Sequence, residues 1–570
     1  MFSEYLTSSI KSHHFLLLLK LTLATLMAAS ASDILRFIFL VSALLSVTDA
    51  LNASSSPSSS SNSLDVRLSR LKAVCKDTPY PDACLASLNL SISINIPSNI
   101  LALLLQTIEA ALSEAVKLTA LMGRSRAGIV EHQKGTLQDC QDLHQITVSS
   151  LQRSVARTRV GGSRKLSDAW TFLSAAQTNK ATCLEGLSFA SGSGKPALLS
   201  SIYDAYKQVS NSLSIIASSI GGHRASGQKG KRRLIGGFPE WVSEKARRVL
   251  DNDEYDPNDV ITVAADGTGD FTTVGDAINS APNNSYDRII IYVREGVYME
   301  YVDIPSYKTN IVLLGDGADV TVITGNRSYD DGWTTFRSAT VAVSGEGFLA
   351  RDIAFENTAG PGKHQAVALR VNADYTALYR CSIRAYQDTL YVHSFRQFYR
   401  ECDISGTVDF IFGNAAVVFQ GCTITSLLPL PGQFTVITAQ SRESADENTG
   451  ISIQNCSIVA SDDLVSSSGS VKSYLGRPWR NYSTTVVMES YIDGFIDPSG
   501  WSVWSGDQGL DTLYYGEYEN YGPGSDTDNR VTWPGFHVMD YYDAYNFTVS
   551  ELITSEEWLD STSFPYDDGV

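Results

Sequence analysis

The sequence of 570 residues lacks the motifs of several common enzyme classes. It contains no Gly-x-Ser-x-Gly, His-Glu-x-x-His or Gly-x-Gly-x-x-Gly motif, which argues against an α/β-type serine hydrolase, a zincin and a dinucleotide-binding enzyme. Its eight cysteines include no Cys-x-x-Cys pair of the kind that binds zinc. We therefore expect neither a metal site nor a cofactor.

Basic residues are outnumbered by acidic ones: the sequence has 44 Lys and Arg residues and 62 Asp and Glu residues, which gives a net charge of −18 at pH 7. Nucleic-acid binding requires a surplus of cations that displaces counterions, so a DNA or RNA partner is excluded. The charge is unevenly spread: residues 1–235 carry +10 and residues 236–570 carry −28. Two parts of opposite charge can attract each other.

Long hydrophobic runs are absent near the N-terminus, where two apolar stretches, interrupted by Asp33 and Arg36, each fall short of the roughly 20 residues that cross a bilayer. The second stretch predicts a secretory signal within residues 1–50, cut after Ala50, with an uncleaved signal anchor as the alternative. Secretion is also indicated by Asn-x-Ser/Thr glycosylation acceptors at Asn52, Asn89, Asn283, Asn326, Asn455, Asn481 and Asn546. In such an oxidising compartment disulfides are the default.

The first half of the chain predicts an all-α domain. A Ser-rich linker at residues 51–63 precedes residues 64–220, where apolar residues recur at helical spacing and predict a bundle of four long helices. The disulfides expected from cysteine spacing are Cys75–Cys84, across a short turn, and Cys140–Cys183, between two helices.

A second linker, residues 221–258, contains a basic cluster that ends in Arg232 and Arg233. Both the composition and the sign of the net charge change here. These features predict an exposed proteolytic processing site, and the alternative is a solvated linker with incidental charge.

The second half predicts an all-β domain, a right-handed parallel β-helix, over residues 259–557, followed by an acidic tail at residues 558–570. Short β-branched and aromatic runs alternate with Gly, Asn and Asp, and a Cys-x-Ile motif recurs after 21, 20 and 34 residues. In a solenoid each coil stacks the same side chain on the previous one. Stacked residues lie about 5 Å apart, which favours a disulfide between Cys402 and Cys422.

Two aspartates in this half repeat at the same interval as the cysteines. Asp388 and Asp409 are 21 residues apart, so a solenoid places them on neighbouring coils and on one face. Close carboxylates do not ionise together easily, so one is pushed toward its protonated form while the other stays an anion. The pair therefore predicts an acid and a nucleophile.

Four segments resemble the signature blocks of plant pectin methylesterases, in the same order as in that family. They are residues 362–370 (GKHQAVALR), 386–391 (YQDTLY), 408–413 (VDFIFG) and 474–479 (YLGRPW). Residues 64–220 resemble the pectin methylesterase inhibitor domain that precedes the catalytic domain in longer family members. Arg232-Arg233-Leu-Ile resembles the processing motif between the two domains, which implies a subtilisin-like protease as a partner.

The resemblance implies a role for each site residue. Asp409 would attack a galacturonate methyl ester of pectin, Asp388 would exchange protons with methanol and water, and Gln387 and Gln365 would donate hydrogen bonds to the oxyanion. Arg477 would hold Asp409 ionised. Trp479 would stack on a sugar ring, and the groove would be lined by Thr335, Phe336, Tyr391, Phe412 and Trp504. No cofactor is implied, and the expected location is the cell wall.

Two other functions are consistent with the residues. The first is a pectin-chain depolymerase, a glycosidase or a lyase, since β-solenoids commonly bind polygalacturonate. The second is a binding protein whose bundle inhibits other enzymes while the β-domain is inactive. In the esterase interpretation the bundle is an autoinhibitory or folding pro-region, and separate inhibitor proteins are additional expected partners.

Overall fold

The computed structural model describes residues 69–89, 100–125, 128–220, 260–467 and 470–570. The predicted signal segment, the Ser-rich linker, Asn52 and the predicted processing site at Arg232 and Arg233 lie outside these ranges. Within them, no helix combines the length and apolar character that a membrane span requires.

Four long helices form the N-terminal domain, as the periodicity predicts. The helices are the short α1 (Pro81–Asn89) and the long α2 (Ile100–Ser125), α3 (Thr136–Val160), α4 (Ser163–Ser188) and α5 (Lys195–Ile220), and residues 69–76 before them are also helical. Apolar residues at helical spacing, such as Leu104, Ile108 and Ala115, are buried between the helices. The two expected disulfides, Cys75–Cys84 and Cys140–Cys183, are present, with Cα atoms 5.4 and 4.6 Å apart.

The C-terminal domain is a parallel β-helix built from three parallel sheets. Sheet A contains β1 (Ile261–Val263), β2 (Ile289–Val293), β5 (Ile311–Gly315), β8 (Leu349–Arg351), β11 (Thr376–Tyr379), β14 (Arg396–Arg400), β17 (Ala416–Gln420), β20 (Gly450–Gln454), β23 (Thr484–Met488), β25 (Tyr514–Tyr518) and β26 (Phe536–Val538). Sheet B contains β4 (Val302–Ile304), β7 (Val341–Val343), β10 (Leu369–Val371), β13 (Leu390–Val392), β16 (Ile411–Gly413), β19 (Thr435–Gln440) and β22 (Ser473–Gly476). Sheet C contains β3 (Gly296–Met299), β6 (Thr321–Gly325), β9 (Ala354–Asn357), β12 (Ser382–Arg384), β15 (Asp403–Gly406), β18 (Thr423–Ser426), β21 (Ser457–Ala460) and β24 (Tyr491–Ile492).

Short helices cover one end and one side of the β-helix. Helix α6 (Val274–Ser280) buries Val274, Ala277 and Ile278 on the core at the N-terminal end. The other helices are α7 (Asp462–Ser466), α8 (Tyr541–Tyr545) and α9 (Val549–Ile553). The segment predicted as an acidic tail packs along sheet A, where Phe564 and Tyr566 are buried in an apolar cluster.

The four stacked cysteines correct one prediction. The strand register aligns Ser382, Asp403, Thr423 and Ser457, so the cysteine before each of them falls in one buried column. All four, including Cys402 and Cys422, are free thiols, and the predicted Cys402–Cys422 disulfide is wrong. Each thiol instead lies near a backbone carbonyl, for example 3.4 Å from Sγ of Cys422 to the oxygen of Tyr399. Stacking brings the cysteines together, but it does not determine whether a bond forms.

Sheet B connects the two domains, which share one compact unit at residues 70–570. In strand β13, Leu390 and Val392 point into the solenoid, while Tyr391 between them points outward. The outward residues of sheet B join the apolar cluster of the helical bundle. Alternation along each strand therefore supplies both a core face and a face that contacts the bundle.

Candidate active site

Asp388 and Asp409 occupy equivalent positions on neighbouring coils. Leu390 pairs with Ile411 in sheet B, and each aspartate lies two residues before one of these partners. The backbone φ angles are 63° at Asp388 and 51° at Asp409, in the left-handed region that Asp tolerates better than most residues. Both side chains are buried. The tight turn before each strand thus directs the two carboxyl groups into the same cavity.

Arg477, directly after strand β22, holds Asp409 in a two-point contact. Its Nε donates to Oδ1 at 2.8 Å and its terminal Nη2 donates to Oδ2 at 2.6 Å. Burial raises the pKa of Asp409, and the hydrogen bonds and positive charge of Arg477 oppose this rise. The contact favours the carboxylate form and fixes its orientation.

Asp388 is in a different electrostatic position. Burial and the neighbouring charge of Asp409 raise the pKa of Asp388 well above its usual range. The positive charge of Arg477 opposes this shift, but the two side-chain hydrogen bonds of Arg477 go to Asp409. The two aspartates therefore differ: Asp388 favours the protonated acid and Asp409 favours the anion.

All of the predicted catalytic and substrate-binding residues line one cavity of about 290 Å³. These residues are Thr335, Phe336, Gln365, Gln387, Asp388, Tyr391, Asp409, Phe412, Arg477, Trp479 and Trp504. Gln387 and Gln365 come from the turns before strands β13 and β10, next to the aspartates. The cavity therefore combines a proton donor, a carboxylate nucleophile and amide hydrogen-bond donors, the groups that attack on a carbonyl requires.

Aromatic rings form one wall of this cavity. Tyr391 stacks on Phe412 with ring centroids 4.2 Å apart, and Phe412 lies 6.0 Å from Trp479. Trp479 stacks on Trp504 at 6.2 Å, and the guanidinium of Arg477 lies 4.4 Å from the centre of the Trp504 ring. Flat aromatic surfaces beside a polar centre suit the faces of sugar rings.

The sequence did not predict that the helical bundle contributes to the same cavity. Bundle residues in its lining are Gln133, Asp139, Thr182, Glu185, Gly186 and Phe189. Thr182 shares a hydrogen bond of 2.9 Å with Nε2 of His393, and Glu185 lies 3.6 Å from Arg480. The opposite charges of the two halves and the resemblance to an inhibitor domain were consistent with docking, but neither indicated which residues meet.

Further contacts hold the bundle against the β-helix around the cavity. Asp139 accepts a hydrogen bond of 2.8 Å from Nε of Arg337. Trp170 donates its indole N–H to the carbonyl of Asp446 at 2.5 Å, and Thr178 accepts a hydrogen bond of 2.9 Å from Asn414. The bundle therefore packs against the β-helix both at the catalytic cavity and outside its lining.

Comparison with known proteins agrees with this geometry. The pectinesterase family model matches residues 260–556, and the plant invertase/pectin methylesterase inhibitor model matches residues 69–215. The chain is 66% identical over 509 residues to probable pectinesterase/pectinesterase inhibitor 12 of Arabidopsis thaliana, a match that covers 87% of this chain and 93% of the relative. Pectinesterase/pectinesterase inhibitor 18 of the same plant is 48% identical over 442 residues, covering 76% and 78%.

Among solved structures, pectin methylesterase from carrot is 54% identical, with a TM-score of 0.54. The match covers 54% of this chain and 98% of the carrot chain. The chain belongs to the pectinesterase family, whose members are carboxylic ester hydrolases. More particularly, it joins a pectin methylesterase domain to an inhibitor-like helical domain, which sets aside the depolymerase and the inactive scaffold.

Proposed function

We propose that the chain removes methyl groups from galacturonate residues of pectin with Asp409 as the nucleophile. The observation that carries this proposal is the unequal pair of aspartates, of which Asp409 alone is held by Arg477 in a two-point contact. A carboxylate oxygen of Asp409 forms a bond to the ester carbonyl carbon, and the carbonyl oxygen takes the negative charge. Gln387 and Gln365 donate their amide hydrogens to that oxygen.

Asp388 supplies and recovers the proton. When the tetrahedral intermediate collapses, the bond to the methoxy oxygen breaks, and that oxygen takes the proton of Asp388 and leaves as methanol. The product is an acid anhydride between Asp409 and the galacturonate. Asp388, now a carboxylate, takes a proton from water, whose oxygen attacks the same carbonyl carbon. Asp409 then leaves as a carboxylate, and Asp388 is again an acid.

The bundle acts in this proposal as an autoinhibitory pro-region. It supplies six residues to the lining of the catalytic cavity, so in this proposal the bundle competes with a polymer chain for the space beside the aromatic wall. A subtilisin-like protease would cut next to Arg233 and allow the bundle to leave. The mature enzyme would act outside the cell, in the cell wall, and separate inhibitor proteins could bind the exposed cleft.

Secretion as a glycoprotein is part of the same proposal. The acceptors Asn283, Asn326, Asn455 and Asn481 are exposed, as N-linked glycans require. Asn546 is half-buried, and its side-chain amide donates to the carbonyl of Tyr542 at 2.9 Å. Asn546 is therefore the least accessible of these five acceptors.

The test compares methanol release from highly methylated pectin by the intact chain and by the chain cut at the dibasic site. We expect the cut protein to be active and the intact chain to be much slower, with no new reducing ends in either case. Asp409→Asn should reduce the activity by several orders of magnitude because an amide cannot attack the ester. Asp403→Asn, an exposed change on neighbouring strand β15, is the control. Activity of Asp409→Asn within about tenfold of wild type would exclude Asp409 as the nucleophile.

A further inference from the structure

Arg480 is a cation at the edge of the catalytic cavity that the proposed reaction does not use. It follows Trp479 in the sequence, and its guanidinium lies 5.5 Å from the centre of the Trp479 ring. A smaller cavity shares Trp479, Tyr391, Thr182 and Glu185 with the catalytic one, and its lining also includes Arg480 and the β-helix carboxylates Glu443 and Glu447. Arg480 is about one third exposed, so it can meet a ligand in the groove.

The ion partner of Arg480 belongs to the bundle. A carboxylate oxygen of Glu185, on helix α4, lies 3.6 Å from the Arg480 guanidinium. Glu185 also lines the catalytic cavity, and its negative charge contributes to the raised pKa of Asp388. Glu185 is therefore a bundle carboxylate that contacts the cation at the edge of the cleft and acts electrostatically on the catalytic pair.

Arg480 has its ion partner in the bundle, whereas the other cation of the cleft, Arg477, has its partner in the β-helix. Among the described residues that line these two cavities, the arginines are Arg477 and Arg480, and neither cavity is lined by a lysine. Arg477 is paired with Asp409 inside the catalytic domain, and this pair remains when the bundle leaves. Departure of the bundle removes Glu185 and leaves Arg480 facing the groove.

We propose that Arg480 forms a binding subsite for the free carboxylate of a galacturonate residue, and that Glu185 occupies this subsite in the uncut chain. The proposal rests on the esterase function and adds a specificity to it. Pectin that has lost methyl groups presents a carboxylate on each demethylated ring, and a guanidinium is the side chain best suited to bind one. The neighbouring Trp479 would hold the same sugar ring by its face.

The subsite would also offset the electrostatic repulsion between the acidic catalytic domain and demethylated pectin. Residues 236–570 carry a net charge of −28, which disfavours approach of a polyanion. A cation within the groove compensates locally, so an enzyme that contains Arg480 accepts a demethylated residue beside the ester that it hydrolyses. Without Arg480, the enzyme would discriminate more strongly against partly demethylated pectin.

The test uses the full chain, cut at the dibasic site and separated from the bundle by ion exchange. Unmethylated trigalacturonate serves as the probe, as an inhibitor of methanol release. Arg480→Gln should raise its inhibition constant about tenfold, the effect of losing one charge-assisted hydrogen bond, and Arg480→Lys should restore part of the affinity. The KM for partly demethylated pectin should rise more than the KM for fully methylated pectin.

Arg384→Gln is the matched control, because Arg384 also lies 3.6 Å from a glutamate, Glu356, and is similarly exposed, but it is on sheet C. An unchanged inhibition constant in Arg480→Gln, or an equal change in Arg384→Gln, would overturn the subsite. Such a result with normal wild-type activity leaves the esterase function intact, whereas absence of methanol release from the wild type refutes the esterase function itself.

The role of Glu185 is tested in the uncut chain. Glu185→Gln should increase methanol release by the intact chain, and the double variant with Arg480→Gln should release no more than Glu185→Gln alone, because both changes remove the same contact. Melting temperatures confirm that each variant is folded. Additive effects of the two changes would show that Glu185 does not act through Arg480.

Discussion

Arg396 of the β-helix and Asp168 of the bundle form an ion pair in which both side chains are only 1% exposed, with 3.1 Å between Nη2 and Oδ1. The same guanidinium nitrogen lies 2.7 Å from Asp374 of the β-helix. On the bundle side, Asp168 also meets Arg157 at 3.1 Å. Two domains therefore share one buried network of charges, and each domain keeps part of it when they separate.

Asp168→Ala should weaken the attachment of the bundle. Removal of one partner from a buried ion pair leaves an uncompensated charge, which typically costs about 3–5 kcal/mol. We expect a lower melting temperature for the uncut chain and faster methanol release, because the bundle opens more often. The control is Asp204→Ala, which removes an exposed pair with Lys207 on helix α5. Equal melting temperatures for the two variants would contradict this role of Asp168.

The cysteine column leads to a prediction that uses no mutation. Cys381, Cys402, Cys422 and Cys456 are free and buried, whereas the other four cysteines form the two bundle disulfides. A thiol reagent should label few cysteines in the folded chain and four after denaturation without reductant. Mass spectrometry counts the labels. Labelling of only two cysteines would show that the column contains a disulfide and would restore the pairing that the spacing suggested.

The catalytic pair could be predicted from the sequence because a solenoid converts spacing into position. An interval of 21 residues is one coil, so Asp388 and Asp409 had to lie side by side once the coil was recognised. The same logic placed the four cysteines in a column. It could not decide whether two thiols bond, since neighbouring positions are necessary for a disulfide but not sufficient.

Docking of the bundle on the cleft could not be predicted in the same way. Asp168 and Arg396 are 228 residues apart, and no repeat relates them. The net charges suggested a basic bundle that attracts an acidic domain, yet in the more deeply buried pairs bundle carboxylates meet arginines of the β-helix, as in Asp139 with Arg337. Local complementarity at the interface, rather than overall charge, determines which side chains meet.

Glu447 provides a prediction about stability and pH. It lies in the loop that connects strands β19 and β20, and its almost fully buried side chain accepts hydrogen bonds from Asn414 and from the backbone N–H of Ser444. Burial raises the pKa of Glu447 to about 7 from its usual value near 4.5. Because the folded pKa is the higher one, the stabilising effect of the protonated form is complete below pH 4.5 and is lost as the pH rises to 7.

Glu447→Gln should remove this pH dependence. The neutral side chain cannot ionise, so the variant should lose less stability than the wild type between pH 5 and 8, a difference of up to about 3 kcal/mol. Melting temperatures at several pH values provide the measurement. Glu443→Gln is the matched control, because Glu443 lies in the same loop but is half exposed. Parallel melting curves for Glu447→Gln and the wild type would refute the assignment.

The two catalytic aspartates predict the limits of activity with pH. Catalysis requires protonated Asp388 and ionised Asp409, so activity should fall at low pH as Asp409 gains a proton and at high pH as Asp388 loses one. Since the pKa of Asp388 is raised well above its usual range, the upper pH limit of activity should lie well above the pH at which an ordinary carboxyl group ionises.

Arg477→Lys replaces the two-point contact with a single donor, so the pKa of Asp409 should rise and the lower pH limit of activity should move to higher pH. The profile of kcat/KM for methanol release by the cut enzyme measures both limits, and Arg384→Lys serves as the control. A lower limit that stays in place in Arg477→Lys would show that Arg477 does not govern the ionisation of Asp409.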